Sequence, residues 1–542
     1  MFKKWFSIAL TLVMLCSSFS FALAEDPVVD FASIEGVIKY DEPIEISFAR
    51  PMTSTATIDE SNPKMKSYTE NIWMTTFKDA LNIDVTYDWI STDNDSNDAK
   101  WGAAIASGNV PDAGIVSDAV YQQLLEADMI ADMTDVYEKE ASELFKSLNT
   151  PDILGNLTTG GRMYGLPATG NLYIGNAVLF VRTDWLAKLN LELPKTIDDV
   201  VAIARAFKEN KLGGDDTIGL MFADGSGAND GLLTGFMNGY DAYRKIWVED
   251  AEGKLAWSDT LPEMREALLA LQKLYAEGLI NPDFAVTNGT VAQEYIASGK
   301  CGIFYSTDWT VTTSMQACVD LDPNADFTCV GIPGLTADHE TTIQTGAIKV
   351  TKLFVSKDCK YPEAVVRMIN LHCALSLTGN QEWYDTYEAG SNGESWYKFL
   401  PWDGRHFQHA INEISYADSI RLSEDAGEVV ATLPSTRPTV EMMYIKDEGD
   451  PWWYTKIGGH NGAYTYDYDM YMAGRMVPDA FNGLPTETMG MLGDVVNDAL
   501  NTAMLEVIMG ADISVYDNAV QTWFATGGQM ITDEVNEWYA SK

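Results

Sequence analysis

The chain alternates between two hydrophobic rhythms. Near the N-terminal end Ile44, Ile46 and Phe48 are separated by Glu45 and Ser47, the period of a half-buried strand that ends at Ala49-Arg50-Pro51. A helix is predicted over 67–81, and "NIDVTYDWI" alternates again through Ile83, Val85, Tyr87 and Trp89. After a further helix, "ASGNVPDAGIV" supplies a Gly turn, a Pro stop and a short apolar strand with Ser117 and Asp118 at its C-terminal end.

From residue 160 the grammar repeats. The Gly-rich stretch "GGRMYGLPATGNLYIGN" runs into a continuous apolar strand, Ala177 to Val181, and helical spacing begins at Trp185. Thr196 caps a helix with Asp199 three residues on, and Ile197, Val200, Val201, Ala204 and Phe207 form its apolar stripe. Thr260 and Glu263 have capping-box spacing before a second stripe (Met264, Ala267, Leu268, Leu271, Leu274, Tyr275) that Gly278 ends. "KCGIFYSTDWT" is a buried strand, Gly302 to Tyr305, delivering Ser306, Thr307, Asp308 and Trp309 to its end. Strand and helix alternate, which predicts an α/β fold with a largely parallel sheet. Beyond residue 380, "EWYDTYEAGSNGESWYKFLPWDGRHF" and "DPWWYTKIGGHNGAYTYDYDMYMAGRM" are dense in Trp, Tyr and Gly and read as loops and short strands. The last segment is helical, broken at Gly527-Gly528.

The first 24 residues read as an export signal: Lys3 and Lys4, an apolar stretch from Trp5 to about Phe21, then Ala22-Leu23-Ala24. Cleavage after Ala24 is expected. A lipid anchor at Cys16 is the weaker alternative, because the bulky Leu15 fits a lipobox poorly. Losing Lys3 and Lys4 with the leader takes the formal charge from −43 to −45. That surface repels phosphate backbones and anionic lipid, so nucleic acid is excluded as a partner and neutral or cationic ligands are favoured. The remaining length exceeds what one core supports, so two lobes are expected. Cys301, Cys318, Cys329, Cys359 and Cys373 show no C-x-x-C spacing; five buried thiols are expected, one disulfide among them being the alternative.

Ligands of open α/β sheets collect at the carboxyl ends of strands, where loops converge. Those ends carry Arg50, Asp118, Asn171 with Tyr173, Asp224 with Ser226, and Asp308 with Trp309. Carboxylates, amides and indoles together suit a sugar: rings stack on its C–H faces while Asp and Asn take its hydroxyls. Any one ring is more often core than platform, but Trp402, Trp452 and Trp453 sit beside Gly, Pro and charged residues and divide evenly between the two readings. Among so many acids a carboxylate pair has no diagnostic value for a glycosidase, and no G-x-S-x-G, H-E-x-x-H or P-loop occurs. His406 and His409 lack a third metal ligand at a telling distance, and "STDNDSNDAKW" reads as a solvated loop, not a calcium loop.

The series "IASGNVPDAGIV", "GRMYGLP", "RTDWLAKLNLELPKTIDDVVAIARAFKE", "KLYAEGLINPDF", "ASGKCGIFYS" and "DEVNEWYA", in this order, resembles the extracellular solute-binding proteins of bacterial carbohydrate ABC importers. The resemblance runs from about residue 40 to the C-terminus. It implies the two-lobed, type II periplasmic-binding-protein-like α/β fold, with hinge strands, an oligosaccharide held between the lobes and delivery to permease subunits. By it, residues 25–168 and 345–390 form the N-terminal lobe and 169–344 and 391–542 the C-terminal lobe, with Gly346 on a hinge strand. Many relatives carry a calcium loop where this chain has "KENKLGGDD"; Lys208 and Leu212 replace oxygen ligands and leave Asn210 and Asp216, so no metal and no cofactor are expected. The expectation is a non-enzymatic binder of a neutral oligosaccharide, contacted by Arg50, Asp118, Asn171, Tyr173, Asp224, Asp308, Trp309, Trp402, Arg405, Trp452 and His460. A secreted carbohydrate-active enzyme and a binder of a non-sugar solute are the rivals.

Overall fold

The alternating segments near the N-terminus become neighbours in one sheet. The computed structural model describes residues 29–52, 58–168, 173, 176–223, 231–345, 350–388, 396–402, 407, 409–445, 451–483 and 485–540. β1 (Ile44–Pro51) lies parallel to both β2 (Ile83–Ser91) and β3 (Ala113–Val116), connected through α1 (Ile72–Leu81) and α2 (Asn94–Ser107). α3 (Asp118–Glu126) follows β3, and β4 (Leu166–Ala168) is the last strand before the chain leaves. It then enters a different sheet as β5 (Ala177–Arg182), followed by α4 (Ile197–Glu209), the hairpin of β6 (Trp247–Glu249) and β7 (Leu255–Trp257), and α5 (Pro262–Ala276). β8 (Ile303–Thr307) and β9 (Phe327–Val330) flank β5, giving the order β8–β5–β9.

The return is by β10 (Ile343–Gln344) and β11 (Thr351–Val355). β11 inserts between β3 and β4, antiparallel to both, completing the order β2–β1–β3–β11–β4. After α6 (Pro362–Leu377) the chain crosses again to α7 (Ile414–Ala426) and α8 (Ala463–Met472), and β12 (Met476–Val477) lies parallel to β10. α9 (Asp494–Ile508), α10 (Ser514–Trp523) and α11 (Gln529–Ala540) complete the second lobe.

Each lobe has its own core. One cluster draws on residues 37–168 and 350–407, the others on 177–343 and 416–535. Leu400, Trp402 and Phe407 therefore pack in the first core, although the sequence expectation put everything from 391 onward in the second lobe.

The largely parallel sheet holds only for β1–β3. In the second sheet β8 and β9 both run antiparallel to β5. β5 carries the chain away from the crossing, so β8 must bring it back to place Asp308 there.

Local signals explain most helix starts and some of the misreadings. Asn71 caps α1, accepting the N–H groups of Trp73 and Met74, so the helix begins at 72 and not 67. The expected Thr196–Asp199 capping box is present on α4. α5 has no such box: Pro262 sets its first turn, and Thr260 donates instead to the carbonyl of Trp257 at 2.7 Å. The acidic run read as a solvated loop starts α2, because Asp93 and Ser96 cap it reciprocally. "AYTYDYDMYM" is the helix α8, not loop and strand; Ala463, Tyr464, Asp467 and Met470 face inward, and the helix packs along α7. Cys301, Cys318, Cys359 and Cys373 are buried free thiols and Cys329 is half-buried.

Candidate functional site

β5 and β8 pair with Ala177 opposite Thr307, and a polar wall stands at that end. Asn176, just before β5, donates from Nδ2 to the carbonyl of Tyr173 at 3.0 Å, which holds Tyr173 beside the start of the strand. Asp308 follows β8 directly and opens the 3-10 turn Asp308–Thr312, where its Oδ1 accepts the N–H of Trp309 at 2.7 Å. α8 lays Asp467 beside Asp308 and Asn176. Tyr471 stands one turn further along the same helix face and meets Tyr173 with ring centres 5.0 Å apart. Tyr173, Trp309 and Tyr471 are half-buried, while Asn176, Asp308 and Asp467 are buried.

The electrostatics of the wall are unusual. Burial and the adjacent Asp308 carboxylate hold Asp467 well above the usual carboxylate range, and Asn176 beside it works the other way. Neither oxygen of Asp467 receives a well-directed hydrogen bond. A second buried acid this close disfavours ionisation, so Asp467 keeps its proton to higher pH than a solvated carboxyl group does. Burial, reinforced by Asp308, also raises the Tyr464 phenol well above its ordinary value. Such a wall combines buried carboxyl groups and an amide with three flat rings, and it is the rings of Tyr173, Trp309 and Tyr471 that keep exposed surface in front of them. Those groups recognise hydroxyls on a ring with apolar faces.

The first lobe contributes the carboxyl end of β3. Ser117 caps α3 by accepting the N–H of Val120 at 3.3 Å, and Asp118 follows with its side chain 61% exposed. Lys352 on β11 lies opposite Val116, pairs with Asp118, and holds its ammonium 5.5 Å from the Tyr121 ring centre. Thr351 pairs with Ala168, so both chain crossings from this sheet depart from the edge that carries Asp118. The five-residue step from Ala168 to Tyr173 bridges at most about 18 Å of extended chain.

Residues 60–371 match the family model described as bacterial extracellular solute-binding protein. The chain belongs to that family. It is 28% identical to the polygalacturonan/rhamnogalacturonan-binding protein YtcQ of Bacillus subtilis, over 99% of this chain and 98% of YtcQ. It is 26% identical to the lipoprotein LipO of the same organism, over 92% of each. A human-milk-oligosaccharide (HMO) binding, ABC-transporter-associated solute-binding protein from Bifidobacterium longum infantis shares the fold at TM-score 0.62 and 16% identity, covering 92% of this chain and 99% of that one.

This solute-binding protein brings Tyr173, Asp308 and Trp309 together and leaves Asp118 at the end of the first sheet from which the chain crosses. Asn171, Asp224, Ser226, Arg405, His406, Gly346 and the leader with Cys16 and Ala24 lie outside the described residues. Four expected contacts are placed elsewhere. Arg50 is fully buried: Nε donates to the carbonyl of Pro51 at 2.9 Å, the guanidinium donates to the carbonyls of Lys398 and Leu400, and it lies 4.7 Å over Tyr68. It fastens residues 398–400 to the end of β1. Trp402 is a core ring, with ring centres of Phe407, Phe77 and Phe48 at 5.4, 6.0 and 6.4 Å; a ligand would have to open that core to reach it. Its Pro, Asp and Gly neighbours describe the backbone around it, not the burial of the ring. Trp452 donates to Asp326 at 3.3 Å and edges onto Phe327, which places it at the opposite end of β5 from Asp308, roughly 17 Å along the strand. His460 is exposed and pairs with Asp425 at 3.1 Å.

Four residues of the wall and the first-lobe edge went unread: Asn176, Asp467, Tyr471 and Lys352. Asp467 and Tyr471 are four apart in "YDYDMY", a helical spacing hidden by the surrounding tyrosines. Lys352 interrupts an apolar strand, the one signal that marked it. Among the described residues no three His, Cys, Asp or Glu side chains cluster to hold a metal ion, and no helix is long and apolar enough to cross a membrane.

Proposed function

We propose that this protein captures a neutral oligosaccharide between its lobes and presents it to the permease of an ABC importer at the outer face of the cell membrane. The observation that carries the reading is the wall at the end of β5 and β8. There two buried acids, an amide and three half-buried rings stand where the chain changes lobe. A ligand touching both this wall and the Asp118 edge favours the closed arrangement by its differential affinity for the two states. The near full-length match to a polysaccharide-binding relative supports a sugar, and the lipoprotein relative supports a position at the membrane face.

Neutrality is argued from charge. The acidic Asp308–Asp467 pair biases the junction against carboxylated sugars, Lys352 and Asp118 offset each other, and the formal charge of −43 opposes polyanions at long range. Binding without hydrolysis is favoured over a glycosidase because that chemistry places its two carboxyl groups roughly 5 Å or more apart across the scissile bond. Asp308 and Asp467 instead sit side by side.

The test is a melting-temperature screen of purified protein against neutral and uronic-acid oligosaccharides, with recovery of the sugars afterwards. Neutral oligosaccharides should raise the melting temperature by mass action and be recovered intact. Trp309→Ala should weaken that binding about tenfold or more while leaving the fold unchanged. Shortened sugars would establish an enzyme, and a response to uronates alone would overturn neutrality.

A further inference from the structure

A cavity lies wholly within the second lobe and shares no lining residue with the wall at β5 and β8. It is about 300 Å³ in volume and sits between the β6–β7 hairpin, Asp479, Phe481, Pro485 and Met489, the start of α9, the end of α10 and the start of α11. That is at the small end of ligand sites, room for one ring and little more. Trp247, Trp257, Phe481 and Trp523 form its apolar walls. Trp247 and Trp523 are nearly covered, whereas Trp257 and Phe481 are half-buried and keep ring surface available.

Two polar side chains are held there with unused valence. Asp479 Oδ1 accepts the N–H groups of both Trp247 and Phe481 at 3.0 Å, which fixes the carboxylate. Its Oδ2 receives no hydrogen bond among the described residues. Burial pushes Asp479 up to about 6, which still leaves it an ionised acceptor at neutral pH. Asn497 Oδ1 accepts Trp523 Nε1 at 2.8 Å, fixing the amide and leaving both Nδ2 hydrogens without an acceptor among the described residues. At the mouth the exposed Lys245 and Asp494 oppose each other in sign.

We infer that this cavity is a second carbohydrate site, which takes one neutral pyranose ring, free or at the end of a longer glycan. A sugar supplies everything the cavity lacks: a C–H face for Trp257 or Phe481, a hydroxyl hydrogen for Asp479 Oδ2, and a hydroxyl oxygen for Asn497 Nδ2. An organic ammonium ion would satisfy the indoles and the carboxylate but leave the Asn497 donors unpaired in a half-dry site, which costs affinity. The inference is independent of what the junction between the lobes binds.

Saturation-transfer NMR on the full-length protein tests it, using the methyl glycosides of glucose, galactose, mannose and rhamnose, then trisaccharides ending in the ring that binds best. At least one glycoside should show transfer with millimolar affinity. Trp257→Ala should weaken it about tenfold, and so should Asp479→Asn, which keeps the Oδ1 acceptor for Trp247 and Phe481 and so preserves the fold. Trp309→Ala should leave it unchanged. A trisaccharide that binds as well as the glycoside identifies a glycan end as occupant; one that is excluded identifies the free sugar. No transfer from any of the glycosides, or transfer untouched by both Trp257→Ala and Asp479→Asn, overturns the site.

Discussion

The two ends of β5 treat charge in opposite ways. At the far end Arg182 is buried and satisfied: it grips Asp184 through two nitrogens at 2.6 and 2.8 Å, lies 3.5 Å from Asp322, and sits over the rings of Trp185 and Phe327. Lys456 neutralises Asp326 beside it at 2.8 Å. At the crossing end Asp467 has a second acid for a neighbour, and neither of its oxygens has a well-directed donor. A fold selected for stability alone gains by replacing such a pair with apolar residues. Departures from local rules are expected at functional sites, so the contrast supports the crossing end as the ligand site proposed above.

The contrast can be broken at either end. The largest effect should come from Arg182→Met, which strips a partly buried acid of its partner. We expect a loss of about 3 kcal/mol, less than for a fully buried pair because Asp322 is half-exposed, read from the urea midpoint. A variant as stable as the parent would show that the far end is not held by its charges.

Asp467→Asn should act in the opposite sense. Replacing an acid that must hold a proton to stay buried with a neutral amide should raise the melting temperature at neutral pH, while oligosaccharide affinity, measured by calorimetry, falls about tenfold. The pH dependence follows from the raised acidity range. The native state keeps a proton that the unfolded chain has lost, so stability falls as pH rises from the ordinary carboxylate range toward the folded value. Urea melts of the parent at several pH values should show that fall, and Asp467→Asn should flatten it. If the variant is both less stable and equally avid, the pair is an ordinary structural contact.

The smallest effect should come from Lys456→Ala. Its pair with Asp326 is partly exposed, so about 0.2–1 kcal/mol of stability is at stake and sugar affinity should not change. A clear loss of affinity would move the ligand to the far end, where Trp452 lies.

Much of this arrangement was legible in the sequence. The alternation in "IEISF" and "NIDVTYDWI" marks β1 and β2, and the polar residues after "GIFY" mark the turn that carries Asp308 and Trp309. What misled was neighbourhood taken as environment. Trp402 has polar neighbours in sequence yet fills the first core, and Arg50 at a strand end is consumed by the carbonyls of residues 51, 398 and 400. α8 escaped notice because its tyrosines blur the helical period, and its inward face appears only when packed along α7.

By itself the sequence determined the α/β grammar, the capping box at Thr196 and Asp199 and the strong negative charge. These depend on periods of two and 3.6 residues, on side chains within a turn of one another, and on a sum over composition. Only the tertiary structure decided that β8 runs antiparallel to β5, that Trp402 is core, and that Asp467 comes to rest against Asp308 across 159 residues of chain. Burial and charge pairing depend on what the rest of the chain brings alongside, and no local spacing encodes that.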